Sequence, residues 1–203
     1  MAAARGRPSL TERRRRQTRL EIAEAAAHLF AEKGYDETTV EDIASATGMS
    51  LRTFYRYCAA KEDALTPVLV SGISELVDRL ADRPHDEPLT AAVPATFGTS
   101  MPEPRSADVD GARRLVRIMT TVPAVRMRWL AAGREMRDRL AHALVTRSAG
   151  ATDDLEARLL AAALMEAIST ATEHWAWQEE PDELGDLVRR AMTYLRIDEL
   201  GRG

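Results

Sequence analysis

The chain has 203 residues, which suits one or two domains, and 45% of them are hydrophobic, which suffices for a packed core. The apolar runs are short and interrupted by charge, so we expect no membrane span of roughly 20 apolar residues. No apolar segment typical of a signal peptide follows the basic N-terminus. The single cysteine, Cys58, excludes an intrachain disulfide and fits a reducing cytoplasm.

Charge is distributed unevenly along the chain. The net charge is −4, yet the first 20 residues contain seven arginines and one acidic residue. The part after residue 62 has 17 basic and 23 acidic residues. A basic leading segment on an acidic remainder would approach a polyanion with its N-terminal end first. A solvated tail without a partner is the alternative.

The first predicted elements are an arm and a long helix. Residues 1–9 are expected to form a disordered basic arm. An amphipathic helix follows from Leu10 or Thr11 to Lys33, because its apolar residues recur at helical spacing. Gly34 is expected to end this helix.

Two short helices joined by a glycine turn come next. Thr38 and Glu41 have the spacing of a capping box, which predicts the start of the first short helix. Gly48 permits a sharp turn between the two helices. Ser50 is expected to cap the second helix, which ends near Tyr57.

The remaining chain is also predicted to be helical. Residues 98–111 are rich in turn formers and are expected to form a flexible loop. No alternating strand pattern is present, so the predicted fold is all-α with about nine helices. Later helices are predicted at residues 61–80, 89–97, 112–121, 123–146, 153–178 and 182–197.

The two short helices have the layout of a helix-turn-helix, in which the second helix reads base edges. A core of Val40, Ile43, Ala44, Met49 and Phe54 would leave one face of the second helix exposed. Arginine can contact guanine through two hydrogen bonds, and tyrosine, threonine and lysine suit phosphate oxygens. An ordinary helical hairpin with solvated arginines is the alternative. On the predicted exposed face lie Ser50, Leu51, Arg52, Tyr55 and Arg56, with Thr53, Tyr57 and Lys61 suited to phosphate.

Residues 29–65, LFAEKGYDETTVEDIASATGMSLRTFYRYCAAKEDAL, resemble the TetR family of transcriptional regulators. The matching motifs are TTVEDIA, GMSLRTFYRY and the KE pair that follows. The resemblance implies a homodimer whose two heads bind a palindromic operator. It implies phosphate contact at Thr39 and base-facing positions for Ser50, Leu51, Arg52 and Arg56. It implies phosphate contact for Thr53, Tyr55, Tyr57 and Lys61, and residues 13–16 are expected to reach the minor groove or the DNA backbone.

The chain departs from the family pattern at two positions after the reading helix. Cys58 stands where phenylalanine is usual, and Ala60 stands where serine often caps the next helix. The absence of that cap predicts a looser joint at residues 58–63. Cys58 is interpreted as a small buried hydrophobe, with a redox sensor as the alternative.

The resemblance divides the chain into three parts. These are the arm at residues 1–9, a three-helix DNA-binding domain at residues 10–60, and a helical-bundle domain for ligand binding and dimerisation at residues 61–203. The dimer is expected to form through residues 153–178 and 182–197. Their predicted interface stripes are Leu160, Leu164, Ile168, Ala171 and Trp175 on the first helix, and Leu184, Leu187, Val188, Met192 and Leu195 on the second.

An apolar effector pocket is expected among the helices between residues 89 and 172. Methionines are frequent there, and flexible methionine side chains suit an adaptable cavity. The alternative for each residue is an ordinary place in the core. The candidate lining residues are Phe97, Met101, Leu115, Met119, Val122, Met127, Trp129, Met136, Met165 and Ile168.

Residues 112–129, ARRLVRIMTTVPAVRMRW, loosely resemble a subgroup of the family associated with acyl-CoA-like effectors. Their arginines would suit a phosphorylated head group if they are not simply solvated. The four histidines have no metal-ligand spacing, and no catalytic motif or cofactor-binding loop is present. The sequence therefore predicts no enzyme, metal or cofactor, but a cytoplasmic repressor released from DNA by a small, largely apolar ligand. A DNA-binding regulator whose body binds a protein partner is the alternative.

Overall fold

The computed structural model describes residues 9–67, 74, 77–80, 82–100, 109–148, 152–180 and 182–197, with the backbone alone for residues 97–100. These residues form helices and no β-strand, which confirms the predicted all-α fold with about nine helices. The α-helices are α1 (Leu10–Lys33), α2 (Val40–Ala46), α3 (Leu51–Tyr57), α4 (Leu89–Ser100), α5 (Val109–Thr121), α6 (Pro123–Arg147), α7 (Asp154–Trp177) and α8 (Leu184–Tyr194), and a 3-10 helix spans Lys61–Leu65.

The chain divides into two compact units, Met1–Val68 and Leu69–Gly203, called the head and the body below. In the head, α1 packs against α2 and the 3-10 helix, and α2 packs against α3. In the body, α7 packs against α5, α6 and α8, and α4 packs against α8. The domain ranges predicted from the sequence stay predictions.

α1 has the predicted extent because both of its ends are capped. The Ser9 hydroxyl accepts a hydrogen bond from the Glu12 N–H, and the Glu12 carboxylate accepts one from the Ser9 N–H. Gly34 adopts a φ of 87° and ends the helix. Ser9 therefore belongs to this cap, whereas residues 1–8 of the predicted arm lie outside the described part of the chain.

The cap of α2 is shifted by one residue from the prediction. Thr39, not Thr38, is the N-cap, and Asp42, not Glu41, completes the capping box. Thr38 is buried, and its hydroxyl donates to the carbonyl oxygens of Leu29 and Gly34. Thr38 and Thr39 have the same local capping pattern, and the contact of Thr38 with α1 leaves Thr39 as the N-cap of α2.

The head is closed around apolar side chains from every one of its helices. α2 and α3 are joined by Gly48, whose φ of 66° allows the turn. Of the predicted core, Val40 and Met49 are only half-buried. The buried hydrophobic residues described in the head are Ile22, Ala23, Ala26, Phe30, Ile43, Ala44, Phe54, Cys58, Ala64 and Leu65.

Several predicted boundaries differ in the rest of the chain. The predicted helix at residues 61–80 begins as a 3-10 helix, and most of its middle lies outside the described residues. α4 and α5 extend into the predicted loop, so residues 98–100 and 109–111 are helical. The last helix starts later than predicted, at Leu184. It also ends earlier than predicted, because Arg196 adopts a φ of 51° just beyond its end.

One buried arginine fixes a turn of the body. Arg147, at the end of α6, donates to the carbonyl oxygens of Leu80, Arg83, Pro84 and Glu87. These four acceptors satisfy its buried guanidinium and hold Leu80 and residues 82–87 against α6. No helix within the described residues is both long enough and apolar enough to cross a membrane.

Candidate functional site

The exposed face of α3 carries the side chains predicted to read DNA. Ser50, Arg52 and Arg56 are exposed, and 54% of the Tyr55 surface is accessible to solvent. Leu51 is exposed beside them. Phe54 points the other way and is buried. Helical geometry therefore brings the five predicted positions onto one accessible surface, defined here as the reading face.

The start of α3 is fixed by Ser50. Its hydroxyl accepts a hydrogen bond from the Thr53 N–H at 3.2 Å and lies 3.0 Å from the Thr53 hydroxyl. At the other end of α3, the Arg56 guanidinium lies 5.2 Å from the centre of the Tyr57 ring. Thr53 and Tyr57 are half-buried. The side chains of the reading face thus extend from a capped, well-supported helix.

Thr39 is exposed next to an acidic partner. The Asp42 carboxylate accepts hydrogen bonds from the Thr39 N–H at 2.9 Å and from the Thr39 hydroxyl at 2.8 Å. These two hydrogen bonds hold the pKa of Asp42 below its usual value, and the bond from the Thr39 backbone has the larger effect. A phosphate contact at Thr39 would therefore form beside a carboxylate, with Lys33 3.5 Å from that carboxylate.

Lys61 forms hydrogen bonds within the head. Its ammonium donates to the carbonyl oxygens of Tyr35 at 2.7 Å and Thr38 at 3.0 Å. The same nitrogen lies 4.1 Å from the centre of the Tyr35 ring. The Tyr35 hydroxyl donates a hydrogen bond to the Glu62 carboxylate at 3.2 Å. The pKa of Tyr35 is raised to about 12, mainly by burial and also by the negative charge of Glu62.

The joint after α3 contains a replacement for the missing serine cap. The Asp63 carboxylate accepts hydrogen bonds from the N–H groups of Ala59 and Ala60, both at 3.2 Å. One half of a capping box is therefore present without a serine. Cys58 is buried, and burial raises the pKa of its thiol, with the Asp63 charge adding to the effect. This environment disfavours a reactive thiolate.

Residues 13–16 lie on the first turns of α1, exposed, and not in an extended arm. They are therefore part of α1 itself.

The ten predicted pocket residues have different environments. Met136, Met165 and Ile168 are buried in the core of the body, and Leu115, Met119, Val122 and Trp129 are half-buried. Met127 is 67% exposed, which does not fit the lining of an enclosed cavity. Met101 and the side chain of Phe97 lie outside the described part of the structure.

Two clefts in the described part of the body have other linings. One, of about 220 Å³, lies beside Arg147 and residues 85–89. The other, of about 400 Å³, lies between α7 and α8 and includes His174 and Tyr194. None of the ten predicted pocket residues lines either cleft.

Two of the arginines considered for a phosphorylated head group instead bind the end of α7. Arg113 is buried and donates to the Gln178 carbonyl oxygen, and Arg117 donates to that of Ala176 at 2.7 Å. Arg117 also lies 5.2 Å from the Trp177 ring centre. Cations at the C-terminal end of a helix stabilise its unpaired carbonyl groups.

Most residues of the predicted dimer stripes are buried inside the single chain. Leu160, Leu164, Ile168, Ala171 and Trp175 are buried in the core of the body, together with Leu187, Val188 and Met192. Leu184 is half-buried, and Leu195 is exposed. The stripe on α7 and most of the stripe on α8 are therefore wrong as interface surfaces, because they face the other helices of the same chain. The exposed apolar side chains on or beside these helices are Leu155, Leu159, Trp177, Tyr194 and Leu195.

Residues 22–65 match the model of the bacterial regulatory proteins of the tetR family, and residues 87–198 match the MftR C-terminal domain. The chain is 32% identical over 183 residues to the HTH-type transcriptional regulator TcmR of Streptomyces glaucescens, covering 86% of this chain and 80% of TcmR.

The chain belongs to the TetR family of transcriptional regulators.

The MftR protein of Mycobacterium tuberculosis, named for mycofactocin biosynthesis, is 27% identical over 82% of this chain and 84% of its own length. The crystal structure of FadR from Thermus thermophilus, a TetR-family repressor in complex with lauroyl-CoA, has a TM-score of 0.58. It is 21% identical, covering 88% of this chain and 93% of FadR, and so shows a shared fold. The protein is thus a DNA-binding transcriptional regulator and not an enzyme.

Within this TetR-family head, sequence reasoning missed the residues that support the reading face. Sequence reasoning assigns no role to Asp42, Asp63 and Tyr35, although each of them fixes a cap or a loop. The three-residue spacing from Ala60 to Asp63 is that of a capping box, which is a local signal for this hydrogen bond. The contact between Lys61 and Tyr35 joins residues 26 positions apart and has no local signal.

Proposed function

We propose that the protein is a cytoplasmic repressor that binds a palindromic operator as a homodimer and leaves it when a small, largely apolar effector binds. The observation that supports this most directly is the reading face, because it presents polar and cationic side chains from a capped helix. In this proposal Ser50, Leu51, Arg52 and Arg56 face bases. Thr39, Thr53, Tyr55 and Tyr57 contact phosphates and set the register.

The proposed dimer uses the outward surface of α7 and α8. Leu159 is 62% exposed and Tyr194 is 89% exposed, so both are unpaired apolar surface in the single chain. Leu155 and Leu195 extend the same kind of surface along the two helices. An isologous dimer would remove these side chains from water and supply two heads for two half-sites.

The proposed effector is acyl-CoA-like and binds in the body. Met136 and Met165 are buried among the helices, where flexible side chains can adapt to an alkyl chain. The complex of Thermus thermophilus FadR with lauroyl-CoA is compatible with this class. Release of DNA requires that the effector binds the DNA-incompetent state more tightly than the DNA-bound state.

Operator release tests the effector class. Fluorescence anisotropy of a labelled duplex from the DNA upstream of the protein's own gene is measured with medium- and long-chain acyl-CoAs, and with free CoA and free fatty acids as controls. An effector of this class weakens operator binding by about tenfold or more. A panel without effect contradicts the acyl-CoA proposal, and release by a protein partner would support the alternative regulator.

Two methionine variants localise the effector. Met136→Trp fills space in the core of the body and is expected to abolish the response to the effector while leaving operator binding intact. Met127→Trp changes an exposed residue and serves as the control. Circular dichroism checks that both variants are folded. An equal response in both variants contradicts an effector site beside Met136.

A further inference from the structure

Lys61 is tied to the loop that precedes α2. Its ammonium group donates to two carbonyl oxygens, those of Tyr35 and Thr38, at 2.7 and 3.0 Å. The Tyr35 ring covers the same nitrogen at 4.1 Å. An ammonium group has three hydrogen-bond donors, so two are used on backbone acceptors before any DNA is present.

The loop that Lys61 holds positions the start of α2. Thr38 is buried and bonded to α1 through its hydroxyl, and Thr39 directly follows it as the N-cap of α2. Lys61 itself starts the 3-10 helix that comes after α3. One side chain therefore connects the beginning and the end of the helix-turn-helix.

Glu62 strengthens this connection from the neighbouring position. It accepts a hydrogen bond from the Tyr35 hydroxyl at 3.2 Å, so the KE pair binds both ends of the same tyrosine. Lys61 is half-buried in this arrangement, unlike the exposed Arg52 and Arg56. Its ammonium group is held by two carbonyl oxygens and by the face of an aromatic ring.

We propose that Lys61 is a positioning residue of the DNA-binding head: it sets the α1–α2 loop relative to α3 and does not neutralise a phosphate. The proposal rests on the proposed function of the reading face and replaces the phosphate contact predicted for Lys61. Loss of the ammonium group displaces Thr39 and α2 and weakens binding to every DNA sequence. The number of counterions released on binding stays the same.

The salt dependence of DNA binding distinguishes the two roles. Affinities of the wild type, Lys61→Met, Lys61→Gln and Arg13→Met are measured for operator and random duplexes over a range of salt concentrations. Lys61→Met is expected to weaken binding by about tenfold at every salt concentration. Its slope of log affinity against log salt concentration stays that of the wild type. Arg13→Met removes an exposed charge from the segment that is expected to reach the minor groove or the DNA backbone, and it is expected to lower the slope by about one per head.

Lys61→Gln is the conservative variant. Its neutral amide can still donate to one carbonyl oxygen, so its affinity is expected to lie between those of the wild type and Lys61→Met. Amide hydrogen exchange at residues 35–42, measured without DNA, is expected to accelerate in Lys61→Met and less in Lys61→Gln. Amide exchange in α3 confirms that the head remains folded, and affinities are corrected for the folded fraction.

Three outcomes overturn the proposal. A slope lowered by about one per head in both Lys61 variants means that Lys61 neutralises a phosphate. An unchanged affinity in the folded variants means that Lys61 contributes stability alone, and unchanged exchange at residues 35–42 means that it does not hold the loop. If the wild type itself fails to prefer operator over random DNA, the proposed function fails, and the exchange data still decide the role of Lys61.

Discussion

The sequence predicts the environment of a side chain in the head when that environment depends on neighbouring residues alone. The exposure of Ser50, Arg52 and Tyr55 follows from helical spacing once Phe54 is assigned to the core. Spacing does not decide whether Thr38 or Thr39 is the N-cap of α2, because each threonine has a carboxylate three residues later. The burial of Thr38 against α1 makes that choice.

The chemistry of Cys58 also depends on surroundings far along the chain. Only 5% of its surface is exposed, and burial raises the pKa of its thiol. Burial of Cys58 supports its interpretation as a small buried hydrophobe. The reactivity of its thiol tests the redox-sensor alternative.

We expect Cys58 of the native protein to react slowly with Ellman's reagent at neutral pH, because a buried thiol with a raised pKa offers little thiolate. Unfolding in urea is expected to restore rapid reaction, and Cys58→Val, which keeps an apolar side chain, is expected to retain operator binding. Rapid reaction of the native thiol, with peroxide releasing the operator, would favour the redox sensor.

Helix ends were predicted best where a cap is formed by neighbouring residues. α1 and α7 begin and end within a residue of their predicted limits, and each starts at a capping box, which Asp153 and Glu156 form on α7. α6 has no side-chain cap at its start, but Pro123 marks that start. α4 and α5 extend further than their turn-forming residues suggest. α4 packs on α8, and α5 packs on α6 and α7, so tertiary contacts outweigh low helix propensity there.

The capping box of α2 makes the head sensitive to acid. The pKa of Asp42 is lowered in the folded chain by hydrogen bonds from Thr39, so this stabilisation is complete above the ordinary value of 3.8. It is lost as the pH falls through the lowered pKa, where the folded carboxylate becomes protonated.

We expect Asp42→Asn to lower the melting temperature of the head at pH 7 and to reduce its loss of stability between neutral pH and pH about 3. Glu41→Gln is the matched control, because Glu41 lies next to Asp42 but outside the observed box. Thermal unfolding followed by circular dichroism measures both variants. A larger effect from Glu41→Gln would restore the capping box predicted from the sequence.

Across the whole molecule, the sequence predicts the family and the fold but not which face of α7 is internal. α7 has apolar residues on two sides, with Leu160 and Leu164 buried and Leu155 and Leu159 exposed. Periodicity alone cannot separate a core stripe from an interface stripe. The same ambiguity applies to the pocket methionines, of which Met136 is buried and Met127 exposed.

We expect Leu159→Glu to weaken the proposed dimer by about 30-fold or more, because it places a charge in an apolar interface. Sedimentation velocity measures the shift towards monomer, and operator affinity is expected to fall with it. Leu130→Glu is the control, since Leu130 is a similarly exposed leucine on α6. Equal behaviour of the two variants contradicts a dimer through this surface of α7.

The central claim is that the reading face on α3 recognises a specific palindromic DNA sequence. Selection from a random duplex library, sequenced after several rounds with the wild type and with Arg52→Ala, tests it most directly. The wild type is expected to enrich an inverted repeat, and Arg52→Ala is expected to lose preference at symmetry-related positions of both half-sites. Enrichment of the same motif with the same preference by both proteins, or of no motif by the wild type, would contradict the claim.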